Sequence, residues 1–158
     1  MAYLAYAILL VLMTALERTW PGWLLIHGRG PELVLVSVVS VALCAGPVAG
    51  TFAGLVGGLL LGSVEGAWLG GTFVAFMMLG GIVGFLRGAL LAERVLVAAL
   101  STLAAVPLVA VVRLLFAAPP EPGPWMLQTL IAAPYSALLA LPAFAAFKAV
   151  TALLAPEP

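Results

Sequence analysis

Residues 46–62 read GPVAGTFAGLVGGLLLG, a stretch in which glycine recurs at every fourth position. The same spacing continues to residue 70, at Gly46, Gly50, Gly54, Gly58, Gly62, Gly66 and Gly70. In water such a helix is unfavourable, because each interior glycine costs about 1 kcal/mol relative to alanine. In a lipid bilayer the backbone must pair within its own segment, and small residues four apart let two helix backbones approach closely. The stretch therefore predicts closely packed membrane helices.

The composition of the whole chain points to the same class of protein. Of its 158 residues, 65% are hydrophobic and 8% are charged, and the mean hydropathy is +1.28. A soluble domain carries about 25% charged residues. Six Lys and Arg residues balance six Asp and Glu residues, so no basic patch is available for a nucleic-acid backbone. We expect an integral membrane protein whose surroundings are the lipid bilayer, with no nucleic-acid partner.

The residues that enzymes and metal sites need are scarce in this chain. Aspartate is absent, His27 is the only histidine and Cys44 is the only cysteine. A Ser/His/Asp set and a cysteine metal cluster are therefore excluded, and the glycine series lacks the Lys-Ser/Thr ending of a phosphate-binding loop. We predict no catalytic residue, no metal site and no cofactor.

Charged residues divide the chain into apolar windows, and one window decides the number of spans. Residues 33–64 would form a straight helix about 48 Å long, against a hydrocarbon core of about 30 Å. Gly46-Pro47 breaks this window near its middle. The sequence predicts one domain, residues 1–158, folded as an all-α bundle of six transmembrane helices, with five as the alternative. The predicted spans are residues 2–16, 32–45, 47–61, 68–86, 95–116 and 125–153.

The glycine series is too long to lie along one side of one helix. Steps of four residues drift about 40° around a helix, so the run from Gly50 to Gly62 covers about 120°, whereas residues 46–70 would cover about 240°. We predict a turn at residues 62–66. The residues predicted to form helix-packing or partner interfaces are Gly50, Gly54, Gly58, Gly62, Gly80 and Gly84.

Two charged residues are candidates for polar contacts. Glu65 follows the glycine-rich span and is interpreted first as a solvated turn residue, with a pocket-mouth or partner-contacting carboxylate as the alternative. Arg113, near the end of the fifth span, is expected to extend to the lipid headgroups or to pair with Glu121, with a pocket or partner contact as the alternative. Lys and Arg residues divide equally between the two sides of a six-span protein, so charge alone gives no orientation.

The order of elements from Gly30 to about Leu103 resembles a known family. Pro31-Glu32-Leu33 opens a Val/Leu-rich span that reaches Gly46-Pro47, and a glycine-rich helix follows at residues 50–61. The next helix ends in Gly84-Phe85-Leu86-Arg87. This pattern is similar to the rod shape-determining protein MreD family. The family usually has Asp after the Gly-Leu-Leu-Leu stretch, where this chain has Gly62.

The resemblance implies a place in the bacterial inner membrane with both termini in the cytoplasm. It implies partnership with the membrane-anchored periplasmic protein MreC. It also implies a link from MreB filaments to the wall-synthesis enzymes RodA and a class B penicillin-binding protein. The function expected on this basis is a non-enzymatic scaffold of the cell-elongation machinery.

MreD-like proteins also resemble, in fold, the substrate-binding subunits of energy-coupling-factor vitamin transporters, which supply the alternative function. A vitamin pocket needs several polar groups that converge on the ligand. The candidates in this chain are few, namely Glu65, Arg113, Gln128, Tyr135 and Ser136. The first helix also lacks the Ala-x3-Ala pair that docks the transport motor in that family. We therefore favour the scaffold.

Overall fold

The structure, a computed structural model, describes residues 2–26, 28–66, 69–89, 95–116 and 119–154, without the side chains of Ala2, Glu65 and Leu154. These residues form six α-helices and a short 3-10 turn at Gly22–Leu24. The helices are α1 Ala2–Arg18, α2 Leu33–Ala45, α3 Pro47–Glu65, α4 Leu69–Leu86, α5 Val95–Phe116 and α6 Pro122–Leu154. Helices α3 to α6 are long and apolar enough to cross a membrane. The predicted all-α, multi-pass membrane fold is confirmed.

Helix α2 is the centre of the bundle and contacts each of the other five helices. Every residue from Leu33 to Leu43 is buried. Two serines lie on this helix, and each donates a 2.8 Å hydrogen bond to the carbonyl four residues earlier, Ser37 to Leu33 and Ser40 to Val36. A helix that is apolar on all sides is stable in a protein core or in lipid, and the burial of α2 shows that protein surrounds it here. The remaining helices are therefore arranged around α2.

The helices run alternately up and down, which gives the bundle two ends. At the termini end, the hydroxyls of Tyr6 and Thr151 share a hydrogen bond of 2.8 Å, so the first and last helices meet there. The α2–α3 turn and the end of α4 lie at the same end, because Arg87 Nη1 lies 3.6 Å from the position that a Cβ would take at Gly46. The far end carries the α1–α2 segment, which is described at residues 19–26 and 28–32, and residues 119–121 before α6.

The predicted break at Gly46-Pro47 is present. Gly46 has φ +93° and ψ −172°, a conformation that residues with a side chain rarely adopt, and Pro47 is the first residue of α3. Helix α3 ends at Glu65, and the next residue, Gly66, has φ +67°. The predicted turn at residues 62–66 is therefore wrong for residues 62–65, which continue the helix because Gly62 packs against α4 and only Gly66 breaks the chain.

Helix α6 begins earlier than the sequence indicates. Its first residue is Pro122 rather than Trp125, and the helix continues through Pro134 and Pro142 to Leu154. Prolines suit the first turn of a helix, since the N–H that they lack has no partner inside the helix there. The predicted start of this span at residue 125 is therefore three residues late, because Pro122 and Pro124 lie in the first turn of the helix.

Candidate functional site

The α3–α4 seam is formed by the six glycines predicted to lie at interfaces. Helices α3 and α4 pack antiparallel, and their backbones meet at regular intervals. Gly50 lies opposite Gly80, and a Cβ at either position would run into the carbonyl oxygen of the other. A Cβ at Gly54 would meet the carbonyl of Phe76 in the same way. Atoms of a side chain have no room at these points.

Helices α3 and α4 also approach each other closely towards both ends of the seam. A Cβ at Gly58 would lie 2.8 Å from Phe73 Cα, and one at Gly62 would lie 2.9 Å from Leu69 Cα. At Gly84 the distance to Pro47 Cα would be 2.5 Å. Real Cβ contacts are essentially never shorter than 3.0 Å, so α3 and α4 touch backbone to backbone along the whole seam.

The six glycines form an interface within the chain, and this affects the prediction that they contact a partner protein. All six are buried between α3 and α4 within the chain itself. A partner helix therefore has no access to them while the two helices stay together. A seventh glycine that the analysis of spacing missed, Gly57, faces α2 instead, where a Cβ would lie 3.0 Å from Val34 Cγ1 and 3.2 Å from Val38 Cγ2.

Two of the proposed pocket residues fasten the α1–α2 segment to α6. The indole Nε1 of Trp20 donates a hydrogen bond of 3.2 Å to the Tyr135 hydroxyl. The backbone N–H of Glu32 donates one of 3.0 Å to Ser136 Oγ. Tyr135 and Ser136 thus hold the segment that leads into α2, and each hydroxyl that was considered for a ligand accepts a hydrogen bond from that segment.

Two further contacts secure the far end. Glu17 Oε2 accepts a 2.9 Å hydrogen bond from the backbone N–H of Val34, in the first turn of α2. A carboxylate at this place satisfies a backbone N–H that the helix itself leaves without a partner, and it also suits the helix dipole. The guanidinium of Arg29 lies 5.3 Å from the ring centroid of Trp125 on α6. The capping role of Glu17 could not be predicted from residue spacing, because Glu17 belongs to α1 and the N–H that it caps belongs to Val34 of α2.

Arg113 lies inside the bundle and not among the headgroups. Its side chain is 6% exposed, and its guanidinium carbon lies 5.5 Å from the ring centroid of Phe76 on α4. Gly71 lets α5 approach α4 here, since a Cβ at Gly71 would lie 3.0 Å from Phe116 Cβ. The expectation that Arg113 extends to the headgroups is therefore wrong, because the close approach of the helices covers it. The side chain of Glu65 lies outside the described residues.

Two apolar grooves open on the sides of the bundle. The α1–α3 groove has a volume of about 400 Å³, and its lining includes Tyr3, Tyr6, Ala7, Val48, Phe52 and Ala53. The α4–α5 groove has a volume of about 320 Å³, and its lining includes Leu79, Ile82, Leu86, Leu100, Ser101 and Ala104. The proposed pocket residues Arg113, Gln128, Tyr135 and Ser136 line neither groove.

Charge is distributed unequally between the two ends. Among the residues that the structure describes, the four glutamates all belong to the far end, at Glu17, Glu32, Glu65 and Glu121. The described part of the termini end carries the cations Arg87 and Lys148. The far end is thus of mixed charge, whereas the described part of the termini end is basic.

No protein-family model, curated protein or solved structure matches this chain.

Proposed function

We propose that this protein is a non-enzymatic membrane scaffold of the MreD type, acting in the bacterial cell-elongation machinery of the inner membrane. The α3–α4 seam is the observation that carries the proposal. Six glycines are used to bring two helices into backbone contact, and the hydroxyls of Tyr135 and Ser136 fasten the chain to itself. Such a bundle suits the presentation of a fixed surface to other membrane proteins better than the binding of a polar small molecule.

The proposed partners are those of the family that the sequence resembles. MreC binds directly, and MreB, RodA and a class B penicillin-binding protein belong to the same assembly. Because α3 and α4 cover the glycines, we place the contact with the membrane anchor of MreC on the α4–α5 groove. Ser101, Ala104 and Ala105 lie along one wall of this groove, and their small side chains leave room for another helix. Helices associate in lipid through close packing, which small residues permit.

The position of Arg113 supports a cytoplasmic location for both termini. The positive-inside rule counts Lys and Arg residues in the loops and next to the ends of the spans. Arg113 is buried against Phe76 and so leaves that count. Arg87, Arg94 and Lys148 then outnumber Arg18 and Arg29 in the sequence. The termini end is the cytoplasmic side in this proposal.

Affinity purification of the full chain from native bacterial membranes tests the scaffold. We expect MreC and wall-synthesis proteins to co-purify with the wild type. Ala104→Leu fills the α4–α5 groove and should abolish the recovery of MreC. Ala145→Leu is the matched control, because Ala145 is exposed on α6 and lies outside the lining of both grooves. Equal recovery of MreC with both variants would remove the α4–α5 groove from the proposal.

The same purification distinguishes the scaffold from the alternative function, a transporter subunit. Recovery of ATPase subunits in place of wall-synthesis proteins, together with saturable vitamin binding by calorimetry, would replace the scaffold with the substrate-binding subunit of an energy-coupling-factor transporter.

A further inference from the structure

We propose that the α1–α2 segment anchors the far end of the bundle in the headgroup layer of the bilayer, with Trp23 as its main contact. The partner is the surface of the lipid bilayer, without selection of one type of lipid. This anchor does not depend on the proposed scaffold function.

The α1–α2 segment is fixed against the side of α6. Trp20 donates its hydrogen bond of 3.2 Å to the Tyr135 hydroxyl, and the guanidinium carbon of Arg29 lies 5.3 Å from the ring centroid of Trp125. Tyr135 and Trp125 are ten residues apart on α6, which is about 15 Å along the helix. Within the segment, Ile26 and Arg29 exchange backbone hydrogen bonds of 3.0 and 3.1 Å. The segment therefore has a defined inner side and a defined outer side.

The outer side of the segment is apolar. Trp23 lies on the 3-10 turn Gly22–Leu24 and is 83% exposed, and Ile26 is 41% exposed. Tryptophan combines a large apolar ring with one polar N–H, and it is enriched at membrane–water interfaces, where both parts find a suitable environment. The side chains on this side are thus suited to lipid rather than to water.

The backbone of the same turn is suited to water rather than to hydrocarbon. Gly22 and Trp23 occupy the first turn of the 3-10 helix, and their N–H groups donate no hydrogen bond within the described part of the chain. Unpaired backbone groups are strongly unfavourable in the hydrocarbon core, and lipid-exposed irregular backbone does not occur there. The headgroup layer meets both needs, because it offers apolar chains to the indole and polar acceptors to the backbone.

The level of the segment along the bundle agrees with this placement. Helices α1 and α3 run parallel, and Leu10 Cδ2 lies 3.6 Å from the position that a Cβ would take at Gly57. From these residues each helix continues for eight residues, about 12 Å, to Arg18 and Glu65 respectively. The two helices therefore end at about the same level, and the α1–α2 segment begins there. Because α3 is long and apolar enough to span the membrane, its charged end marks the edge of the hydrocarbon core.

Fluorescence quenching of the purified full chain in phosphatidylcholine liposomes tests the anchor. The lipids carry bromine either next to the glycerol or near the end of the acyl chain, and bromine quenches tryptophan only at short range. Trp23→Phe removes one fluorophore, so the difference between the wild type and this variant reports on Trp23 alone. We expect bromine next to the glycerol to cause the larger loss of this difference signal, because interfacial indole rings lie at the level of the headgroups.

A tryptophan in the middle of α6 provides the matched control for depth. Leu138 is 64% exposed there, so the added tryptophan of Trp23→Phe/Leu138→Trp should lose more fluorescence to bromine near the chain end. The proposal is overturned if the Trp23 signal follows the pattern of this control or shows no preference for depth. It is also overturned if aqueous iodide quenches Trp23 and neither lipid does, because the outer side would then lie in water and suit a soluble protein partner.

Discussion

Helix α4 packs against α3 on one side and α5 on the other, and the two contacts are built differently. On the α3 side, a Cβ at Gly54 or Gly80 would run into the opposing backbone. On the α5 side, the helices touch at the far end, where Arg113 covers Phe76, and then separate around the α4–α5 groove towards the termini end. Apart from Arg113, both contacts are formed mostly by apolar residues and glycines, so hydrophobicity does not explain the difference. In lipid, the volume of the side chains determines which helices come together.

The largest effect should follow from a bulky residue in the seam. Gly54→Leu and Gly58→Leu place side-chain atoms where the backbone of α4 lies, and a helix backbone has little freedom to move aside. Insertion of extra carbons into a packed core costs about 1–3 kcal/mol, and occasionally more, so we expect at least about 3 kcal/mol or a failure to fold. Denaturant unfolding in detergent micelles measures this loss of stability. Wild-type stability in both variants would contradict the account of the seam.

A smaller effect is expected where α5 meets α4. Arg113→Ala removes the guanidinium from Phe76 and leaves a gap in a buried position, which should cost about 2 kcal/mol. Arg113→Lys keeps the charge but loses the planar group, so it should restore only part of this stability. The same unfolding measurement compares the two variants. Full stability in Arg113→Ala would show that the contact between Arg113 and Phe76 does not stabilise the packing of α5 against α4.

Two alanine substitutions within α4 test the close packing of the seam, because they should change the free energy of unfolding in different directions. Gly80→Ala should destabilise the protein by about 1–2 kcal/mol, although alanine is the better helix former. Gly70→Ala introduces the same methyl group into open space, so it should be neutral or stabilising by up to about 1 kcal/mol. Thermal unfolding in micelles measures both. Equal shifts would mean that close contact between the helices has no energetic role.

The smallest effect should come from the groove itself. Ala104 is exposed and lines the α4–α5 groove, so Ala104→Leu should change the free energy of unfolding by no more than about 0.5 kcal/mol. A large destabilisation, measured beside Ala145→Leu, would show that α4 and α5 are packed more closely than the groove indicates. If the proposed purification then failed to recover MreC with this variant, the failure could not be attributed to the groove alone.

Some features of the fold could be predicted from the sequence alone, and others could not. The Gly46-Pro47 break was predictable, since a glycine with positive φ followed by proline at the first helical position follows from local backbone preferences. The turn at residues 62–66 was not predicted correctly, because whether Gly62 ends a helix or packs against another depends on the presence of α4. The position of Arg113 was missed for the same reason, as its covering ring belongs to Phe76 on another helix.

The sequence by itself determined the membrane class, the helical architecture and the break that separates α2 from α3, because hydropathy and backbone geometry are properties of local segments. Only the tertiary structure decided that α4 closes the glycine seam, that Tyr135 and Ser136 hold the α1–α2 segment, and that Arg87 lies over the α2–α3 turn. These contacts join residues distant along the chain, and their geometry depends on how whole helices pack around α2.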